Sequence, residues 1–228
     1  GFLDRRMEQY LTHQINIPTT MGKVIPDSIL SESDYQTQVL NPMYQEIAPL
    51  DPDGILQHEW LNVRAAVPRF VRSAIEIRII DVQECPYADL AIAAVVSGVV
   101  KAIYQQKTAS LVDHQAIHTD SIVTILRHCL QDAEQATITD PEYLRLLGFA
   151  ANRCTAGQLW QHLIESLIET KIIDPWRKAL KIILEQGSLA SRIIQALNQD
   201  FSRQHLQLIY HELCNCLETG QMFQGMNH

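Results

Sequence analysis

This sequence offers no disulfide framework. Its five cysteines, Cys85, Cys129, Cys154, Cys214 and Cys216, are odd in number and scattered. They form no paired CxxC pattern, which excludes a zinc ribbon as well. Buried free thiols in a reducing compartment are the expected state. A basic surface is missing too: 18 Lys and Arg stand against 26 Asp and Glu, a formal net charge of −8. Phosphate backbones need a basic stripe, so a nucleic-acid partner is not expected. No apolar run reaches the roughly 18 residues of a membrane span. The nearest, Leu90–Tyr104, is too short and is interrupted by Lys101. There is no signal-peptide pattern, internal repeat, low-complexity tract or Gly-rich phosphate loop. These absences lead to the expectation of a cytoplasmic chain with no membrane partner. What is there reads as ordered and globular: 228 residues, 46% hydrophobic and 19% charged. That suffices for one large domain or two small ones with a real core. The opening GFLDRRMEQY, without an initiator Met, is what a mature N-terminus, a trimmed product or a fragment would look like.

The first third is mixed. LDRRMEQYLTHQ fits a short helix with Arg5 and Arg6 adjacent on its polar side. INIPTTMGKVIPDSIL, with two prolines and a glycine, is expected to be loop with short extended pieces. A helix starts near Ser31, and Pro42 is expected to open a second one rather than continue the first. APLDPDG reads as a turn. Two extended segments follow. In Glu59–Ala65, Leu61, Val63 and Ala65 fall on one face and Trp60, Asn62 and Arg64 on the other. In AIEIRIID, Ile75, Ile77 and Ile79 alternate with Glu76 and Arg78. Antiparallel pairing of the two segments is expected; one register would put Arg64 on the face of Glu76 and Arg78. From Pro86 onward the chain reads as helix. PYADLAIAAVVSGVVKAIYQQ is apolar on nearly every side and is expected to be buried. Amphipathic helices follow, opened by Ser, Thr or Asp and closed by Gly. The fold class is α+β, with a sheet-bearing part over 1–85 and a helical part over 86–228.

Residues i and i+2 of a strand share a face about 6–7 Å apart. Glu76 and Arg78 could therefore neutralise one another, or each could hold part of one metal–phosphate group. A carboxylate suits Mg²⁺, and a guanidinium grips phosphate oxygens and stabilises developing charge. On pattern alone, a solvated ion pair on an ordinary sheet face is favoured. His114 and His118, four apart, have no third ligand nearby and read as a surface pair. Cys214 and Cys216 would point about 200° apart on a helix, which defeats chelation. Trp160, Leu163, Leu167 and Trp176 read as core, and Arg203 and Glu212 as solvated helix charges.

The run IEIRIIDVQECPYADLAIAAVVSGVVKAI resembles the glutamine synthetase-like superfamily, with its E-x-R strand, following Asp and turn into an Ala-rich helix. The longer EWLNVRAAVPRFVRSAIEIRIIDVQECP resembles glutamate–cysteine ligase family 2, the carboxylate–amine ligases, through W-x-x-R and F-x-x-x-x-E-x-R-x-x-D. GFLDRRMEQYLTHQINIP and SRQHLQLIYHELCNCLETGQMF resemble the flanking segments of that family. The resemblance implies that Glu76 binds Mg²⁺ or Mn²⁺ and that Arg78 contacts the transferring phosphoryl group. It puts Arg64 on the substrate or nucleotide side and Arg6, with Arg5 the alternative, in the early segment. Asp81 would fix the turn after the strand. The implied fold is the C-terminal half of a glutamine synthetase-like catalytic domain. The implied activity is ATP-dependent amide formation from amino acids through an acyl phosphate, by a possible homo-oligomer.

There are departures. The glutamate-rich first strand and the H-x-H strand expected of the family's N-terminal half are absent, so the chain reads as a C-terminal part whose missing half is its partner. Arg72–Ala74 replaces the family's Gly-Thr, which leaves the substrate open. Two other readings stay open: a ligase of the same fold with another carboxylate and amine, and a non-catalytic helical interaction module.

Overall fold

The computed structural model describes residues 2–12 and 17–225. The end of the first expected helix, at His13 and Gln14, and the first two residues of the following loop lie outside the described residues. The elements in chain order are α1 (Arg5–Thr12), α2 (Pro18–Met21), α3 (Glu32–Tyr35), α4 (Asn41–Ile47), β1 (Ala66–Arg69), β2 (Ala74–Ile77), α5 (Pro86–Tyr104), α6 (Leu111–Ala116), α7 (Thr119–Asp132), β3 (Thr137–Ile138), α8 (Pro141–Leu146), β4 (Cys154–Thr155), α9 (Ala156–Ser166), α10 (Arg177–Gln186), α11 (Leu189–Leu197) and α12 (Arg203–Thr219). Helices with two small antiparallel ribbons make this an α+β chain.

The chain divides into two compact units. One comprises Arg5–Asp81 with His118–Arg127; the other comprises the described residues of Gly1–Asp4, Val82–Ile117 and His128–His228.

In the first unit, Ser31 caps α3 by accepting the Asp34 N–H at 3.1 Å. Pro42 does not start a separate helix. Helical backbone continues from α3 through a π-helical turn at Gln36–Leu40 into α4, with the Asn41 N–H bonded to the Gln36 carbonyl. Pro42, which has no N–H to give to a regular ladder, follows directly on this turn inside the continuing helical backbone. Tyr35, Val39, Leu40 and Met43 pack into one cluster on this segment. Buried Asp51 ties the APLDPDG turn by accepting the Ile55 and Leu56 N–H groups at 3.0 and 2.7 Å.

The extended segments differ from expectation. Glu59–Leu61 is a 3₁₀ turn, and the strand facing β2 is Ala66–Arg69, from the stretch expected to be a connection. The turn is Phe70–Arg72 closed by Ser73 in the left-handed region, φ 48°. The register pairs Ala66 with Ile77, Val67 with Glu76, Pro68 with Ile75 and Arg69 with Ala74. The isoleucine face is not buried: Ile75 is 64% and Ile77 40% exposed.

In the second unit, α5 buries only the stripe Ala88, Ala91, Val95 and Gly98. This stripe meets Leu167, Ile173 and the Ala179, Leu180 and Ile182 face of α10. A fully buried Leu contributes about 1.5–3 kcal/mol. Leu90, Val100 and Tyr104 stay exposed, so the helix is not enclosed on every side as expected. By length and composition alone, α5 is long and apolar enough to cross a membrane. Gly98 lets this helix approach its neighbour; a Cβ there would stand 2.7 Å from the Leu167 side chain.

Asp140, Thr155, Ser188 and Ser202 cap α8, α9, α11 and α12 as their sequence suggests. The helical run is broken by the β3–β4 ribbon, which pairs Thr137 with Thr155 and Ile138 with Cys154. Trp160 is largely exposed rather than core, whereas Leu163 and Leu167 are buried and Trp176 packs at 5.6 Å on Tyr87. All five cysteines are free; Cys85, Cys154 and Cys216 are buried and Cys214 is exposed. Burial pushes the Cys216 thiol up to about 11, which leaves it unreactive. His114 and His118 do not share a helix, because α6 ends at Ala116 and Ile117 is extended.

Candidate functional site

The antiparallel register places Arg69, not Arg64, beside Glu76. Along β1, Val67 and Arg69 share the face of Glu76. Arg69 Nε donates to Glu76 Oε2 at 2.7 Å, and Arg78 Nε donates to Oε1 at 2.8 Å. A second carboxylate, Glu59, accepts from Arg69 Nη1 at 2.8 Å. Arg78 Nη1 donates to the Asn62 carbonyl. The Arg69 hydrogen bond, assisted by Arg78, holds the Glu76 carboxyl below its ordinary range despite some desolvation. The Arg69 guanidinium is correspondingly held charged, first by its bond to Glu76.

Arg64 forms an adjoining cluster of the same unit. Its side chain is 7% exposed and pairs with Asp27, Nε to Oδ2 at 2.7 Å. Nη1 donates to the Thr19 carbonyl at 3.0 Å and to Asn62 Oδ1 at 3.2 Å. Asn62 is itself fixed by donating from Nδ2 to Tyr35 Oη at 2.7 Å. Tyr35 meets Phe70 edge to face at 5.7 Å. The guanidinium lies against Gly22, where a Cβ would fall 2.7 Å from Nε; with φ 53°, this position requires glycine twice over.

Among the described residues, Nη2 of Arg64, Arg69 and Arg78 makes no hydrogen bond. Each guanidinium is aimed by a carboxylate, and the unbonded Nη2 of Arg64 lies against Gly22. Arg64, Asp27, Glu32, Tyr35 and Phe70 line a cavity of about 550 Å³ with apolar walls. That is room for an amino acid or a nucleoside-sized group.

Arg6 pairs with Asp81 at 2.8 Å near the surface. From the same helix, α1, Tyr10 donates its hydroxyl hydrogen to the Val63 carbonyl. Burial raises the Tyr10 hydroxyl, with Arg78 and Arg6 opposing. The early segment thus belongs to the unit that carries the strand charges. Sequence reasoning missed Arg69, Glu59 and Asp27. Arg69 was findable once AVPR is allowed to be a strand, because its spacing then matches Glu76 across a short turn. Asp27 and Glu59 carried no local signal.

A divalent cation is not suited to these residues alone. Both Glu76 oxygens bear guanidinium nitrogens, and no group of three metal-binding side chains occurs among the described residues. The guanidinium nitrogens of Arg64, Arg69 and Arg78 suit an anion.

The family model for Glutamate-cysteine ligase family 2 (GCS2) matches residues 1–212. An uncharacterized protein of Archaeoglobus fulgidus is 26% identical over 222 residues, which cover 97% of this chain and 53% of that protein. The chain therefore spans about half the length of this relative. No solved structure matches it significantly. Over nearly its whole length, this chain belongs to glutamate–cysteine ligase family 2.

Proposed function

We propose that this chain is the arginine-bearing part of an ATP-dependent carboxylate–amine ligase of the glutamine synthetase-like kind. ATP phosphorylates a carboxylate, the γ-carboxylate of glutamate in this reading, and an amine such as that of cysteine displaces phosphate from the acyl phosphate. The observation that carries the reading is the trio of largely buried arginines, each oriented by a carboxylate and each with an unused Nη2 donor. Phosphoryl transfer leaves little covalent chemistry to the protein. Its task is to position groups and to stabilise charge that develops on phosphoryl oxygens. Arg78 and Arg69 would donate to those oxygens, and Arg64 would donate to the group held in the adjoining cavity. Arg6 is proposed as a nucleotide contact, released from Asp81 when ATP arrives. Glu76 holds both strand-side guanidinium groups in register.

Mg²⁺ or Mn²⁺ would arrive with ATP as part of the substrate. Glu76 as one of its ligands remains part of the proposal, but the other oxygen donors must come from outside the described residues. Those donors, and the remainder of the catalytic unit, are proposed to lie in polypeptide beyond this chain.

Phosphate release in the presence of ATP, glutamate and an amine tests the reading. Turnover is expected from the intact enzyme and not from these 228 residues alone. Glu76→Gln in the intact enzyme is expected to abolish metal-dependent turnover and leave the circular dichroism spectrum unchanged. Wild-type turnover in that variant would remove Glu76 from the site. An intact protein that binds neither ATP nor Mg²⁺ is an interaction module instead.

A further inference from the structure

The unit that carries α5 holds a cavity of its own, of about 510 Å³. We propose that this cavity binds a small amphipathic anion: one carboxylate head on a neutral, apolar body. The end of α5 builds its cationic side. Gln106 takes the left-handed conformation, φ 55°. The Gln106 N–H bonds the Ile103 carbonyl at 2.9 Å, and the Lys107 N–H bonds the Ala102 carbonyl at 3.1 Å. That pair of bonds is a Schellman motif, which folds the residue after the left-handed one back over the end of the helix. An apolar side chain commonly takes that place and packs on the last turn. Here the place is held by Lys107, and the last turn carries Lys101.

Both lysines line the cavity. Neither has an ion-pair or side-chain hydrogen-bond partner among the described residues, whereas Lys23 and Lys181 pair with Asp120 and Glu185. Lys101 alone would be explained by the helix dipole, which a cation near the C-terminal end offsets. Lys107 lies beyond that end. A second positive charge on the same cavity is unfavourable until an anion joins the two.

The rest of the cavity fits the body of such a ligand. Val99, Leu163, Leu167 and Ile172 give it apolar walls. Thr108 Oγ1 donates to the Leu146 carbonyl at 2.5 Å and so pins the segment after α5 to the end of α8. Gly148, just past α8, leaves a corner open. A Cβ there would stand 2.7 Å from Thr108 Cγ2 and 3.7 Å from His162 Nε2. His162, on α9, meets Phe149 edge to face at 5.3 Å and makes no hydrogen bond among the described residues. Glu169 also lines the cavity and pairs with neither lysine. It opposes a ligand charged along its length, such as a nucleoside triphosphate, and leaves a single anionic head as the match. Apolar walls with a few charged groups, at this volume, are what a small-molecule site requires. The inference does not rest on the ligase reading, whose residues belong to the other unit.

Octanoate and octylamine, alike in tail and opposite in head charge, are the probes. Calorimetric titration of the intact protein at neutral pH and low salt is expected to show saturable binding of octanoate, at least ~10-fold tighter than that of octylamine. Lys101→Glu combined with Lys107→Glu, at two exposed positions, should weaken octanoate at least ~10-fold and leave the circular dichroism spectrum unchanged. Lys178→Glu, at an exposed lysine of α10 outside the cavity, should alter neither. Equal affinity for the two probes, uptake that does not saturate, or undiminished octanoate binding in the double variant overturns the proposal. So does displacement of octanoate by ATP, which would make the cavity part of a nucleotide site. Should the double variant lose its fold, Lys107→Gln alone carries the test: a drop of at least ~3-fold supports the site and no drop overturns it. Octanoate binding without ligase turnover would leave this site standing, and turnover without octanoate binding would leave the ligase reading standing.

Discussion

Two arginine–glutamate clusters, one in each unit, have opposite designs. Arg192 and Glu84 are sealed, with side chains 1% and 0% exposed. Every guanidinium nitrogen and both carboxylate oxygens are engaged there. Arg192 Nη1 donates to Glu84 Oε1 and to the Phe223 carbonyl, Nη2 donates to Glu84 Oε2, and Nε donates to the Gly187 carbonyl. Glu84 Oε1 also accepts the Phe223 N–H at 3.1 Å. The Arg69–Glu76–Arg78 cluster is partly open, and among the described residues Nη2 of both its guanidinium groups makes no hydrogen bond. A saturated pair can only hold structure, whereas an oriented but unsaturated one can receive a ligand.

The largest effect should separate the two. Arg192→Met leaves the Glu84 carboxylate buried without its cation and is expected to cost about 3–5 kcal/mol in chemical denaturation. Adding Glu84→Leu should recover much of that loss. A small loss in the single variant would mean that water reaches Glu84 and that the contrast is false. Arg78→Lys supplies the opposite case. A lysine lacks the fork that bonds Glu76 and leaves a second nitrogen for the proposed phosphoryl contact. Turnover of the intact enzyme is expected to fall about 10²–10³-fold, with little movement of the thermal midpoint. Equal damage to stability and turnover would make this cluster structural as well.

Gly22→Ala sharpens the comparison from the backbone side. It strains a positive φ and displaces the Arg64 guanidinium, at an expected cost of about 1–3 kcal/mol. The readouts are the denaturation midpoint and loss of ligand binding in the adjoining cavity. The smallest effect is acid sensitivity. The Glu76 carboxyl sits below its ordinary 4.5 in the folded chain. Its contribution is therefore complete above that value and lost as pH falls through the lower, folded one. Because the group is partly exposed, no more than about 1 kcal/mol is expected, read as the difference between wild type and Glu76→Gln across that range.

The sequence disclosed the helices better than the sheet. Caps at Ser31, Thr155, Ser188 and Ser202 have local chemistry, and the start at Asp174-Pro175 appears as a 3₁₀ turn leading into α10. Alternation located β2 but could not say which face is covered, because coverage depends on what packs there. Pro68 disguised β1, and a proline is tolerated there only because its position faces outward. The π-helical turn before Pro42 was not readable, since no residue type demands it. Arg192 carries no local signal on its amphipathic helix. Its partner is 108 residues away, beyond the reach of any local pattern.

The Phe223 backbone acts as a clasp on the buried Arg192–Glu84 pair. A polypeptide that stops at Gly220 would leave Arg192 and Glu84 each short of a backbone partner inside the unit's interior. A cut in the backbone between Gly220 and Phe223 is therefore expected to loosen this unit while leaving the arginine-rich site of the other unit chemically intact.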